Sequence, residues 1–347
     1  MALPMRPMGS QGMMASMQGF GCMGLTSFYG KPLEESVAHG VLQKAFDLGI
    51  THFDSAEIYT GEDAEGKKVY NEEVLGKWVA KVGREKVTVT TKLFPAGPGK
   101  EACEPAAVRE AFTTSLQRLG MDYVDLYYMH RVPSMDALKN FMTVCKELVA
   151  EGKIKYVGIS EATPAEVRAA HAIHPLTAVQ QEWSLLVRNL EAELVPTCRE
   201  LGIAVVAYSP MCRGFTSGLV KKFDDWSKIG NEGGARDGFQ SGCPHLGEAN
   251  VEHNAKLLEP LEKQAAELGV TPAQLSLAWV QSCGPDVFPI PGTTKIANLE
   301  SNVSAAKLCL DLPKEKLEAL GTAVDWKQMA GDRYPAGFQG MCFESRK

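Results

Sequence analysis

The sequence predicts an α/β chain folded as a single (β/α)8 TIM barrel. Three observations lead there: a helix-glycine-strand unit that recurs along the chain, eight short strand candidates within about 290 residues, and no G-x-G-x-x-G loop after the first strand. Strict alternation of short parallel strands and helices suits a closed barrel better than an open dinucleotide-binding sheet.

The first strand candidate lies around Gly19–Cys22. In the helix that follows, Val37, Val41, Ala45 and Leu48 fall on one face, Gly49 can take the left-handed cap, and Thr51-His52-Phe53-Asp54 is the second strand. The same grammar recurs. Val74, Leu75, Trp78 and Val82 precede Gly83 and the run Val87–Leu93; Val108, Phe112, Ser115 and Leu119 precede Gly120 and the run Tyr123–Met129. Leu138, Met142, Cys145 and Val149 lead to Gly152 and Lys155–Ile159. Thr163-Pro164-Ala165-Glu166 reads as a capping box with proline at the first helical position, before the strand Ala178-Val179-Gln180. Leu190, Leu194, Cys198 and Leu201 then lead to Gly202 and Ile203–Ala207. Thr271-Pro272-Ala273-Gln274 repeats the capping device, Val287-Phe288-Pro289-Ile290 is the eighth strand, and Leu299, Val303 and Ala306 mark the last helix. The stretch from Ser209 to about Asn254 has no sustained period but carries Gly214, Gly218, Gly230, Gly233, Gly234, Gly238, Gly242 and Gly247, the composition of a functional lid or a mobile loop. One domain over residues 1–347 is expected, with a long loop at 209–254 and a tail at 321–347.

Composition limits what such a barrel does. With 36 Lys and Arg against 42 Asp and Glu, the net charge is −6, and no broad basic surface for nucleic acid is expected. No window approaches the ~18–20 apolar residues of a membrane span. Neither a secretory signal nor an Arg-rich transit peptide is evident at the amino terminus. The nine cysteines are odd in number, widely spaced and without C-x-x-C, which fits reduced thiols and a cytoplasmic location. His171 and His174 lack accompanying ligands, so no metal site is expected.

Reacting groups of such barrels project from the carboxyl ends of the strands. There the chain places Asp54, Tyr59 five residues on, Lys92, and His130, which closes the run Leu126-Tyr127-Tyr128-Met129. A neighbouring ammonium favours the ionised form of a phenol, Asp54 can hold Lys92 charged, and a neutral His130 can hydrogen-bond a carbonyl oxygen about to gain charge. The set suits protonation of an oxygen as hydride reaches its carbon.

At this point Gly21-Cys22-Met23-Gly24, Phe53-Asp54-Ser55-Ala56-Glu57-Ile58-Tyr59, Asn71-Glu72-Glu73-Val74-Leu75-Gly76, Thr91-Lys92, Asp125–His130 and Gly158-Ile159-Ser160-Glu161 resemble the aldo-keto reductase superfamily in order and spacing, over roughly residues 6 to 325. Within it the chain looks closest to the branch of pyridoxal reductases, perakine reductase and auxin-induced proteins. The resemblance implies a barrel with an N-terminal hairpin and a C-terminal extension, extended NADPH/NADP+, and a tetrad of Asp54, Tyr59, Lys92 and His130. It also implies that Ser160 and Gln180 contact the nicotinamide carboxamide, with Tyr208 stacked on the ring. Glu161 replaces the asparagine common elsewhere.

Ser209-Pro210-Met211-Cys212-Arg213-Gly214-Phe215 resembles the family's pyrophosphate-covering segment, with Met211 and Cys212 departing from Ser-Pro-Leu-Gly-Arg-Gly; Ser209, Met211 and Arg213 are cofactor candidates. Cys212 takes a position where glycine has more freedom, and its thiol is either redox-sensitive or packed and inert. Ile290–Lys295 resembles the adenosine-phosphate segment, making Gly292, Thr293, Thr294 and Lys295 candidates along with Asn298, which stands for the usual arginine, and Asn302. The usual glutamate falls near Ser301. The insertion Gly61–Tyr70 and the tail aromatics Trp326, Tyr334, Phe338 and Phe343 are candidates to shape the mouth or to contact substrate.

The expected activity is reduction of a small-molecule carbonyl substrate, aldehyde or ketone, to the alcohol. Two alternatives share the barrel: an NADPH-binding regulatory subunit with little turnover, like the cytoplasmic β subunits of potassium channels, and a Schiff-base lyase with Lys92 as nucleophile. Oligomeric state and the physiological carbonyl leave no mark in the sequence.

Overall fold

A computed structural model describes residues 3–97, 99–229, 240 and 242–346. Strands β1 (Met5–Met8) and β2 (Met13–Ser16) pair antiparallel as the N-terminal hairpin. Eight parallel strands follow in one sheet, β3 (Phe20–Gly21), β4 (His52–Asp54), β7 (Thr88–Leu93), β8 (Val124–Met129), β9 (Ile154–Ser160), β10 (Ala178–Glu182), β11 (Ala204–Tyr208) and β12 (Val287–Pro289), neighbouring one another in that order. The Gly19 amide donates to Pro289 O at 3.0 Å and so joins the two ends of the sheet.

The helices between them are α1 (Glu35–Asp47), α2 (Asn71–Val82), α3 (Pro105–Leu119), α4 (Met135–Ala150), α5 (Pro164–Ile173), α6 (Leu194–Glu200), α7 (Val251–Lys256), α8 (Glu259–Leu268), α9 (Pro272–Ser282) and α10 (Ile296–Asp311), with α11 (Lys314–Ala323) and α12 (Ala336–Gln339) in the extension. Both expected capping boxes form, Thr163 with Glu166 and Thr271 with Gln274. Gly120 takes the left-handed cap of α3 at φ 62°, and Gly49 stands at φ 94° beyond α1. In α1 the buried face is Ala38, His39, Val41, Leu42 and Ala45, and Val37 points outward. Among the described residues no helix is long and apolar enough to cross a membrane.

Gly21 lets the first strand meet the last. A Cβ there would lie 2.7 Å from Ile290 O, and one on Gly292 would lie 2.5 Å from Gly21 O, so both positions need a bare backbone. The insertion Gly61–Tyr70 is a two-stranded ribbon, β5 (Thr60–Glu62) paired with β6 (Lys68–Tyr70), its turn held by Lys67 and Glu65 amides donating to Asp63 Oδ1. The Asn71 amide donates to Tyr59 O at 2.9 Å, so the ribbon closes directly behind Tyr59.

The loop after β11 has more structure than its composition suggests. Short 3-10 turns run over Cys212–Ser217, Phe223–Lys228 and Pro244–Leu246, and α7 begins at Val251. Gly230, Gly233, Gly234 and Gly238 lie outside the described residues. Beyond α11, the extension packs Tyr334, Cys342 and Phe343 inward, leaves Trp326 half-buried and exposes Phe338.

Candidate active site

Asp54 ends β4, Lys92 sits near the end of β7 and His130 follows β8, so adjacent parallel strands deliver three of the four groups to one end of the sheet. Tyr59 comes from the loop after β4. Lys92, wholly buried, is paired through Nζ with Asp54 Oδ1 and also donates to Ser55 O at 2.7 Å and to Tyr59 Oη at 3.4 Å. The His130 ring stands edge-on between Tyr59 and Phe94, its centroid 5.7 Å and 5.6 Å from theirs. The four residues named from the sequence converge.

Burial pulls Lys92 toward the neutral amine, yet Asp54 and Tyr59 together hold its pKa above the ordinary lysine value. A charged, ion-paired ammonium is a poor nucleophile, which removes support for a Schiff base at Lys92. For Tyr59 the expected lowering does not emerge on balance: burial raises the phenol, Lys92 opposes it, and the pKa stays above the ordinary tyrosine value. The phenol is therefore a proton donor at neutral pH. Burial, Arg131 and Lys92 all press His130 well below its usual pKa, so the ring is neutral, and its Nδ1 has no hydrogen-bond partner among the described residues.

Around the tetrad, Ser55 Oγ donates to Asn71 Oδ1 at 2.7 Å, while Asn71 Nδ2 donates to Cys22 O at 2.8 Å and Thr26 Oγ1 at 2.9 Å. This ties the loops after β3 and β4 to the start of α2. Gln180 Nε2 donates to Asp54 Oδ2 at 2.8 Å, giving the carboxylate a second partner beyond Lys92.

The cofactor candidates fall into two groups. Toward the tetrad, Ser160 is fully buried and its Oγ has no hydrogen-bond partner among the described residues; Tyr208 is half-buried at the end of β11 with its hydroxyl donating to Glu161 Oε1 at 2.6 Å. Ser209, Cys212 and Arg213 all have positive φ, at 46°, 47° and 57°, in the tight turn beyond β11 where Met211 is half-buried. Cys212 thus accepts the backbone conformation expected of glycine. Burial pushes its thiol well up, so it is packed rather than reactive. Buried Arg213 lies 3.5 Å from Glu182.

At the far end, the Lys295 amide donates to Thr293 Oγ1 at 3.1 Å just before α10; Lys295 and Asn298 are exposed, Gly292 is the close approach described above, and Thr294 is half-buried. Asn302 is buried and its Nδ2 has no hydrogen-bond partner among the described residues. Orphaned polar atoms at both ends of the array are what an extended ligand with an amide at one end and a base at the other would satisfy. The residues present therefore fit a nicotinamide dinucleotide.

The strand-end rule applied to β9 and β10 also reaches Glu161 and Glu182, which were not assigned to the site. Both are fully buried, and both bind Arg333 of the extension, Glu161 Oε2 at 2.8 Å and Glu182 Oε2 at 2.7 Å. Gln181 Nε2 and the Phe343 amide also donate to Glu161, at 2.8 Å and 3.2 Å. Burial pushes the Glu161 carboxyl up, but Arg333 outweighs it and brings the pKa to about 2. Glu161, Cys342 and Glu344 have ligand-type atoms within 4.8 Å of one another, yet Arg333 occupies both carboxylates, which makes this an ion-pair cluster. His171 Nδ1 accepts from the Leu176 amide at 3.2 Å and serves to end α5. No sequence pattern marks Arg333, because it lies in a tail without regular periodicity.

Residues 19–324 match the Aldo/keto reductase family, and the chain belongs to it. It is 43% identical over 336 residues to the "Probable aldo-keto reductase 1" of Glycine max, covering 95% of this chain and 91% of that one. Its fold is shared by the crystal structure of a thermostable aldo-keto reductase, Tm1743, in complex with the inhibitor epalrestat, at a TM-score of 0.71 and 24% identity over 92% of this chain and 100% of the other. Family membership makes the chain an oxidoreductase of carbonyl groups that works with a nicotinamide cofactor.

Proposed function

We propose that this chain reduces aldehydes and ketones to alcohols with NADPH as the hydride donor. The observation that carries the reading is the buried Asp54–Lys92 pair set 3.4 Å from Tyr59 Oη, beside a neutral His130.

When bound, the nicotinamide supplies the hydride that reaches the carbonyl carbon. His130 offers a neutral ring that orients the carbonyl oxygen, and Tyr59 Oη donates the proton that this oxygen takes up. Lys92 stabilises the phenolate left behind, and Asp54 keeps Lys92 charged. Gln180 braces the second oxygen of Asp54. Ser160 Oγ and Tyr208 would hold the nicotinamide end, with Ser209, Met211 and Arg213 over the pyrophosphate. Gly292, Thr293, Thr294, Lys295, Asn298 and Asn302 would receive the adenosine phosphate. Lys295 at the cap of α10 supports NADPH over NADH, since a lysine beside a helix amino terminus suits a phosphate. One domain spanning the whole chain and a cytoplasmic setting accord with this reading.

Loss of NADPH absorbance on adding small aldehydes and ketones is the test. Tight NADPH binding with no turnover would favour a regulatory subunit instead. Lys295→Met is expected to raise the KM for NADPH by about tenfold more than that for NADH, the effect of one charge-assisted contact to phosphate. Equal changes for both cofactors would remove Lys295 from phosphate recognition.

A further inference from the structure

The chain leaves the tetrad loop at Tyr59 and returns to it at Asn71. Between them the ribbon pairs Thr60 with Tyr70, so its register sets Tyr59 opposite Asn71, the first residue of α2. The ribbon lies against the loop after β3, where a Cβ on Gly61 would collide with Thr26 O, and the Arg118 guanidinium carbon stands 4.0 Å from the centre of the Tyr70 ring. Asn71 is buried, and both hydrogens and the oxygen of its carboxamide are engaged. Oδ1 accepts from Ser55 Oγ at 2.7 Å, while Nδ2 donates to Cys22 O at 2.8 Å and to Thr26 Oγ1 at 2.9 Å. The Asn71 backbone amide donates to Tyr59 O at 2.9 Å, and Thr26 Oγ1 donates to the same oxygen at 3.4 Å.

These bonds close a ring through the reacting groups. Lys92 Nζ donates to Ser55 O at 2.7 Å, Ser55 Oγ donates to Asn71, the Asn71 amide holds Tyr59 O, and the Tyr59 hydroxyl meets Lys92 Nζ at 3.4 Å. That last contact is at the long limit of a hydrogen bond, so it depends on both backbones staying in place. A displacement of about 1 Å at a reacting group costs on the order of 10²-fold in rate. We propose that Asn71 is the positioning residue of the proton donor: its carboxamide fixes Ser55 and the start of α2 together, and so holds the Tyr59 hydroxyl within reach of the Lys92 ammonium. The inference rests on the carbonyl-reductase reading above. No bond is made or broken at Asn71, and the proton still passes from Tyr59 to the carbonyl oxygen. A staple serving stability alone would need no link to the residue whose carbonyl Lys92 bonds, nor to the backbone of Tyr59.

The test follows benzaldehyde reduction with NADPH in the wild type, Asn71→Ala and Ser55→Ala, with kcat expressed per NADPH-binding site and the solvent isotope effect on kcat read in heavy water. Asn71→Ala is expected to lower kcat per site about ten- to a hundredfold while the Kd for NADPH changes by less than about threefold. Ser55→Ala removes one bond of the ring and is expected to cost about three- to tenfold. In both variants the solvent isotope effect should exceed that of the wild type, because proton transfer from a misplaced phenol limits the rate more. Should Asn71→Ala fail to fold, Ser55→Ala decides by the same readouts. A kcat per site within about twofold of the wild type, or a lower kcat with an unchanged solvent isotope effect, overturns the positioning role and leaves the reductase reading intact. No turnover of any aldehyde by the wild type defeats the reductase reading and this one with it.

Discussion

Lys92 shows how one buried charge can organise a site. Desolvation works against the ammonium, and it stays charged because Asp54 is held against it by Gln180 on the far oxygen. Removing either partner leaves the other charge buried alone, a loss of about 3–5 kcal/mol. Lys92→Met is therefore expected to lower the stability of the folded chain by that order in urea unfolding and to abolish turnover; turnover persisting in the variant would detach Lys92 from Tyr59. Glu161 is the second such residue. Its folded pKa of about 2 lies below the unfolded value of about 4.3, so its contribution is full above pH ~4.3 and is lost as pH falls toward 2. Glu161→Gln should free the extension at neutral pH, and limited proteolysis after residue 325 is the measurement; equal cleavage in wild type and variant would contradict the anchor.

Elements meet most tightly where glycine allows it. A Cβ on Gly76 in α2 would come within 2.1 Å of Leu119 O at the end of α3, so Gly76→Ala must push the two helices apart. The expected cost is about 1–3 kcal/mol, read as a fall in Tm. An unchanged Tm would mean that the helices slide apart freely. At this scale the sequence was most legible where one physical rule governs a local stretch. Thr163 and Thr271 mark helix starts because a hydroxyl at the cap and Glu166 or Gln274 three residues later satisfy free amides. The ribbon of residues 60–70 was less legible, because its pairing depends on a turn around Asp63 rather than on apolar alternation. The meeting of Asp54, Lys92 and His130 could be read from strand ends, with Tyr59 on the loop that follows β4. The bonds of Gln180 to Asp54 and of Ser55 to Asn71 could not, since each joins groups remote in the chain; Gln180 was expected at the nicotinamide, and Glu161 and Glu182 acquire meaning only once Arg333 arrives from the tail.

For the molecule as a whole, folding keeps several histidines neutral. Burial lowers the pKa of His52 and, with Arg131 and Lys92, that of His130, and it brings His245 to about 4. The unfolded chain takes up protons at these positions below pH ~6.5 while the folded chain does not, so stability is full above that pH and declines as pH falls. Each such group contributes up to about 1.4 kcal/mol per pH unit inside its window, for His245 between about 6.5 and about 4. Tm should drop steadily from pH 7 to pH 5; a flat profile would place these rings in contact with water. The central claim is that Tyr59 Oη gives the proton to the reduced carbonyl. Its most direct measurement is NADPH oxidation with a small aldehyde in wild type and Tyr59→Phe, alongside NADPH binding followed by fluorescence. The account predicts that Tyr59→Phe binds NADPH and loses about 10²–10⁴-fold in kcat, the usual contribution of a positioned acid. Equal kcat in the two proteins would contradict it.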